Sequence, residues 1–220
     1  MQNLFIGGSS EIAKKIAKKL ISVENISRKK SPIYSKNYIV KNYSSKNLQL
    51  ILKKINKKFD NIVIFNGYFS NSFITNYNEK DFNNSFNINF KIPIAVATLS
   101  INKKILNTNG GIFFISSIAA ETSQMGNAFY SIAKNSLNFA AEILGKEQKK
   151  RGIRINTISL GLIKNKMGKS VLGVKLKNKN SFYLNDNKFT KQIIKIIKNK
   201  KINLKKIIIK WSALLKFTIN

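Results

Sequence analysis

Tyr130 and Lys134 stand four residues apart in AFYSIAKNSLNFAAEIL, residues 128–144. On a helix that spacing stacks two side chains on one stripe, one turn apart. A phenol beside a cation is a candidate for proton transfer. Free tyrosine has a pKa of about 10, so moving it to about 7 takes about 4 kcal/mol. One ammonium about 4 Å away, at an effective dielectric of about 20, supplies about 4 kcal/mol. A lysine at i+4 is therefore a perturbation of the right size, with desolvation acting in the opposite sense. The plainer alternative is a solvated lysine next to a half-buried tyrosine.

The chain of 220 residues has no histidine and no cysteine. Serine–histidine–aspartate chemistry, disulfides and ordinary zinc sites are thereby excluded, and no metal site is expected. Acid–base work falls to Tyr, Lys, Asp or Glu. With 43% hydrophobic residues the chain can bury one substantial core, read as a single domain over 1–220. The formal charge is +31. A basic chain can signal a nucleic acid or an anionic membrane surface. Here the lysines run evenly from end to end, and Asn and Ile are abundant as well. A coding bias explains that pattern better than a polyanion site, so no nucleic-acid partner is expected. No apolar run reaches the roughly 20 residues of a spanning helix, and a cytoplasmic location is expected.

Those two side chains need a scaffold. Short apolar runs at Leu4–Ile6, Tyr38–Val40, Ile62–Phe65, Ile112–Ile115 and Ile153–Ile158 read as strands. Helical patterns lie at Ile12–Ile21 and around 46–57, 79–103 and 127–149. This alternation predicts an α/β fold, a doubly wound parallel sheet with helices on both faces. Residues 164–188 are the least regular and form a candidate substrate loop. Residues 202–220 read as a short strand and an apolar tail. In such a sheet ligands bind beyond the carboxyl ends of the strands. GGSSEIA (7–13), ISRKK (26–30), FNGY (65–68), ISS (115–117) and SLGLI (159–163) sit at such ends.

With these residues in place the chain resembles the short-chain dehydrogenase/reductase family over roughly 1–170. The YxxxK signature is Tyr130–Lys134, with Ser117 thirteen residues before the tyrosine. Asn89 in NINF, Asn66-Gly67-Tyr68 at a strand end, and Asn156 with Gly161 in NTISLGLI fall in the expected order. The glycine-rich loop departs from the pattern: Gly7 is kept, whereas Glu11 and Ala13 replace later glycines, and Leu160 stands where a proline is usual. The usual C-terminal strand and Asp-Gly-Gly ending are not recognisable.

The resemblance implies a Rossmann-type fold and hydride transfer between a nicotinamide cofactor and a carbonyl or alcohol. Tyr130 is then the general acid or base, with its pKa lowered by Lys134. Ser117 donates to the carbonyl oxygen, and Asn89 holds a water that links Lys134 to solvent. Gly7, Ser9, Ser10 and Ile12 would face the pyrophosphate at the helix N-terminus. Arg28 favours NADP(H), with NAD(H) the alternative. Asn42, Asn66 and Gly67 fall on the adenosine side, Gly161 and Ile163 near the nicotinamide, and Tyr130 and Lys134 near its ribose. A 3-oxoacyl thioester or a sugar intermediate is the expected small-molecule substrate, and a homodimer or homotetramer the expected assembly. The alternative is a catalytically relict chain of the same fold, binding a polyanion or a membrane surface. Peripheral membrane contact through IIIKWSALLKF is the less favoured reading of the tail.

Overall fold

A computed structural model describes residues 1–122, 125–171, 183–209 and 216–218. The strands are β1 (Asn3–Ile6), β2 (Val23–Ser27), β3 (Lys36–Ile39), β4 (Phe59–Ile64), β5 (Leu106–Ser117), β6 (Arg154–Leu160), β7 (Lys206–Ile209) and β8 (Lys216–Thr218). They form one sheet in the order β3-β2-β1-β4-β5-β6-β7-β8. The first seven are parallel, and β8 runs antiparallel to β7. The strand order reverses between β1 and β4, which opens a crevice at their carboxyl ends.

Alternation along the strands builds two cores. Leu4, Ile6, Ile62, Ile64, Ile112 and Phe114 face one side. There they meet Leu48 of helix α2 (Ser45–Lys53), Val96 of α4 (Ile92–Asn102) and Leu137 of α5 (Ala128–Gln148). Phe5, Val63, Phe113, Ile158 and Ile207 face the other side. They pack on Ile16 of α1 (Glu11–Ala17) and on Phe189 and Ile193 of α7 (Asp186–Lys198). Burial on both faces is why these strands read as nearly continuous apolar runs.

Three features differ from the sequence reading. Strand β2 is legible only at its end, because Glu24 and Asn25 interrupt the apolar run. Both are buried, Glu24 against Lys57 and the Tyr38 hydroxyl, Asn25 against Gly8 N–H. The pattern over 79–103 divides into α3 (Glu79–Phe86), a π-helical turn Asn87–Lys91 and α4. Such a turn inserts an extra residue and is frequent at functional sites. Within the expected loop 164–188, helix α6 (Lys166–Val171) forms and α7 begins at Asp186, while residues 172–182 lie outside the described residues. Gly168 allows α6 to fold back: a Cβ there would sit 1.9 Å from the Ile163 carbonyl oxygen. The short strand expected within 202–220 is β7, which extends the parallel sheet with Ile207 and Ile209 buried in the core. Residues 210–215 and 219–220 of the expected tail lie outside the described residues. No helix among the described residues is long and apolar enough to cross a membrane.

Candidate active site

Strand β1 ends in Gly7, whose φ of +75° suits glycine and disfavours any residue with a Cβ. Its N–H donates to Ile26 O, and its carbonyl accepts from Ser10 N–H. Ser10 then caps α1, its hydroxyl accepting from Ala13 N–H at 3.2 Å. That bond commits the Ser10 oxygen to the helix, as serines before helices often are. Ala13 is fully buried, and its small side chain permits the close packing a glycine would otherwise give. Glu11 is exposed on the first turn of α1, where a carboxylate is stabilised by the helix N-terminus.

Gly8 is held more tightly than its neighbour. Its N–H donates to Asn25 Oδ1 at 3.1 Å, and its carbonyl accepts from the Tyr34 hydroxyl at 2.6 Å. A Cβ on Gly8 would lie 2.2 Å from Asn25 Oδ1 and 2.8 Å from the Tyr34 oxygen. Gly8→Ala is expected to destabilise the fold by about 1–3 kcal/mol, the usual cost of overpacking. A lowered urea midpoint checks this, and an unchanged one would mean the turn is slack. Asn25 also donates to Ser27 Oγ and Asn37 Oδ1, and Ser27 Oγ donates to Lys29 O. The glycine turn and the Arg28 loop are thus tied through one buried asparagine.

A cleft of about 630 Å³ opens above the β1–β4 reversal. Gly7, Ser9, Arg28, Asn42, Asn66 and Gly67 all line it. Asn42 accepts from Ser44 N–H and from Asn47, and Arg28 is exposed at the rim. Tyr43, which the sequence reading passes over, also lines the cleft. Burial pushes its phenol up to about 12, against the opposing influence of Arg28, Asn66 and the Gly7 backbone. The Tyr43 hydroxyl therefore sits beside the glycine turn. Asn66 Oδ1 is buried without a hydrogen-bond partner among the described residues. A concave backbone turn that tolerates no Cβ, next to an unpartnered amide oxygen, fits a dinucleotide.

Ile12, Gly161 and Ile163 are placed differently. Ile12 is half-buried and packs against the core. Gly161 N–H donates to Ile209 O at 2.8 Å, and Ile163 is buried with its carbonyl accepting from Asn165 N–H. These two lie past the end of β6, where α6 begins. Met167 of α6 reaches over to Gly67.

The catalytic candidates converge at the ends of β4 and β5. Lys134 is buried, and its ammonium donates to Ile115 O at 2.9 Å and Asn66 O at 3.3 Å. Burial pulls its pKa down to about 7. Tyr130 is half-buried; its hydroxyl is close enough to Ser117 to be influenced by it, and its ring meets the edge of Phe69 at 5.4 Å. Here the expected direction is reversed. Burial raises the Tyr130 pKa, only partly offset by Ser117, because desolvation of a phenolate outweighs the aid of its neighbours. Ser117 ends β5 and also accepts from Ala119 N–H. Asn89 is fully buried in the π-helical turn and pairs with Tyr68 in both directions, donating to its carbonyl at 2.8 Å and accepting from its N–H at 3.0 Å. Its side chain therefore straps the loop after β4.

A family model described as Enoyl-(Acyl carrier protein) reductase matches residues 41–193. The chain belongs to the short-chain dehydrogenase/reductase family. Within the family it is 33% identical over 110 residues to the 3-oxoacyl-[acyl-carrier-protein] reductase FabG of Rickettsia conorii, covering 50% of this chain and 46% of that protein. A tropinone reductase homolog of Arabidopsis thaliana is 29% identical over 128 residues, covering 56% and 41%. The match thus spans somewhat under half the length of these curated relatives. A short chain dehydrogenase family protein from Francisella tularensis superposes with a TM-score of 0.83 at 18% identity, over 97% of this chain and 99% of that one. A variant of actinorhodin polyketide ketoreductase with NADPH gives 0.84 at 14% identity, over 97% of each chain. At such identities the structural likeness is one of fold.

Proposed function

We propose that the chain is an NADP(H)-dependent oxidoreductase that interconverts a carbonyl and an alcohol, acting on a 3-oxoacyl thioester. The observation that carries this reading is the meeting of Tyr130, Ser117 and buried Lys134 at the strand ends that border the glycine-turn cleft. A nicotinamide cofactor, when bound there, would supply the hydride for the carbonyl carbon. Tyr130 gives its proton to the carbonyl oxygen, and Ser117 donates a hydrogen bond there as negative charge develops. A phenol whose pKa is raised by burial stays protonated at neutral pH, which suits the reductive direction. Lys134, pulled to about 7 by burial, would serve as the cation near the nicotinamide ribose and as a proton source for Tyr130. Gly7, Ser9 and Asn66 would hold the dinucleotide, and Arg28 its extra phosphate. The FabG relatives support the thioester, and exposed Phe139 and Ile143 on α5 support self-association.

Fluorescence titration with NADPH and NADH tests the cofactor, and reduction of acetoacetyl-CoA tests the chemistry. Tighter binding of NADPH is expected; folded protein that binds neither would sink the reading. Arg28→Ala is expected to weaken NADPH about tenfold, the loss of one charge-assisted contact, with NADH affinity unchanged. Equal losses for both cofactors would remove Arg28 from the phosphate site.

A further inference from the structure

Helix α5 carries Tyr130 in its first turn, yet its own N-cap residue does not cap it. Asn127 makes no side-chain capping bond; its Oδ1 accepts instead from the Ser131 hydroxyl at 2.9 Å. The free amides of a helix start need partners, and here one residue from a distant loop takes two of them. Ser72 O accepts from Ala128 N–H at 3.1 Å, and Ser72 Oγ accepts from Phe129 N–H at 3.1 Å. Ser72 N–H donates in turn to Gly126 O at 3.1 Å, making a short parallel bridge with Asn127. Ser72 is buried.

The same loop grips the turn from other sides. Phe69 sets its ring against Tyr130, while Tyr77 packs edge-on against Phe129 at 5.8 Å, with Phe82 at 5.5 Å. The loop begins at Tyr68, which Asn89 holds by both its N–H and its carbonyl. One connected path therefore runs from the π-helical turn through Tyr68 and Ser72 to the start of α5. The height of the Tyr130 hydroxyl over Ser117 depends on that path.

We propose that Ser72 is a positioning residue for Tyr130, acting as the N-cap of α5 from outside the helix. This rests on Tyr130 being the proton donor. A displacement of about 1 Å at a reacting group can cost about a hundredfold in rate. Ser72 lies outside the residues that line the cofactor cleft, so turnover and cofactor affinity separate.

The test compares wild type, Ser72→Ala, Ser72→Thr and Tyr130→Phe for acetoacetyl-CoA reduction by NADPH, with NADPH affinity measured by fluorescence. Ser72→Ala is expected to lower kcat about ten- to a hundredfold, with KM and NADPH affinity held within about twofold. Ser72→Thr, which keeps the acceptor oxygen, is expected to restore most of the loss. An unchanged kcat in Ser72→Ala beside an inactive Tyr130→Phe overturns the positioning role alone. A wild-type rate no greater than that of Tyr130→Phe overturns the proton-donor reading and this one with it. Hydrogen exchange in the wild type needs no variant to fold. Protection of the Phe129 amide comparable to the α5 core is expected, and fast exchange there overturns the cap.

Discussion

Tyr130→Phe is expected to lower carbonyl reduction by roughly 10²–10⁴-fold, the range for loss of a general acid. The substitution removes one oxygen and leaves the packing. The ring would keep its edge contact with Phe69, and Ser117 would keep its bond to Ala119 N–H. Folding and NADPH affinity should therefore stay close to wild type, and the loss should appear in kcat. Steady-state kinetics with acetoacetyl-CoA, beside an equilibrium titration of NADPH, separates these quantities. Retained kcat would move the proton donor elsewhere. A matching loss of NADPH affinity would instead assign the hydroxyl to cofactor binding.

Lys134→Met should change how stability depends on pH. Burial lowers the lysine from 10.5 to about 7 in the folded chain. Between those values the unfolded chain binds more protons than the folded one. Stability therefore rises with pH across that window, by at most about 1.4 kcal/mol per unit, and is lost as pH falls through about 7. The variant, with a thioether in place of the ammonium, would lack this slope. It would also leave the carbonyls of Asn66 and Ile115 without their shared donor, a pH-independent cost of about 1–3 kcal/mol. Urea midpoints measured from pH 7 to pH 10 should diverge, wild type gaining on the variant as pH rises. Parallel curves would show that the ammonium is hydrated. Turnover should fall as well under the proposed role of Lys134 as proton source for Tyr130.

Much of the fold follows from periodicity that is local in the chain. The strands around Leu4, Ile62, Ile112 and Ile155 alternate between two buried faces, and α5 keeps its apolar stripe over 21 residues. Helix α7 carries the same kind of signal in Phe189, Ile193, Ile196 and Ile197, all buried, and the sequence reading does not take it up. Strand β2 is harder to see for a different reason. Glu24 and Asn25 look like surface residues until Lys57, Tyr38 and Gly8 arrive to pair with them.

The candidate site divides along the same line. Tyr130, Lys134, Ser117 and the Gly7 turn are legible because each is defined by its type and its spacing from the others. Tyr43, Tyr34 and Ser72 are not, since an ordinary tyrosine or serine says nothing until its partner is known. Asn89 is found by position, but the partner its amide meets, the Tyr68 backbone 21 residues away in the chain, is not legible in the sequence.

What residue order settled unaided is which groups stand at which strand ends, because periods of two and 3.6 residues act between near neighbours. Protonation was settled only in three dimensions. Setting one ammonium against one phenol leaves out the burial of both. In the folded chain burial moves Tyr130 upward and Lys134 downward. Desolvation is a property of everything packed around a group, most of it distant in sequence. The cap on α5 is non-local for the same reason, its acceptor coming from 57 residues away.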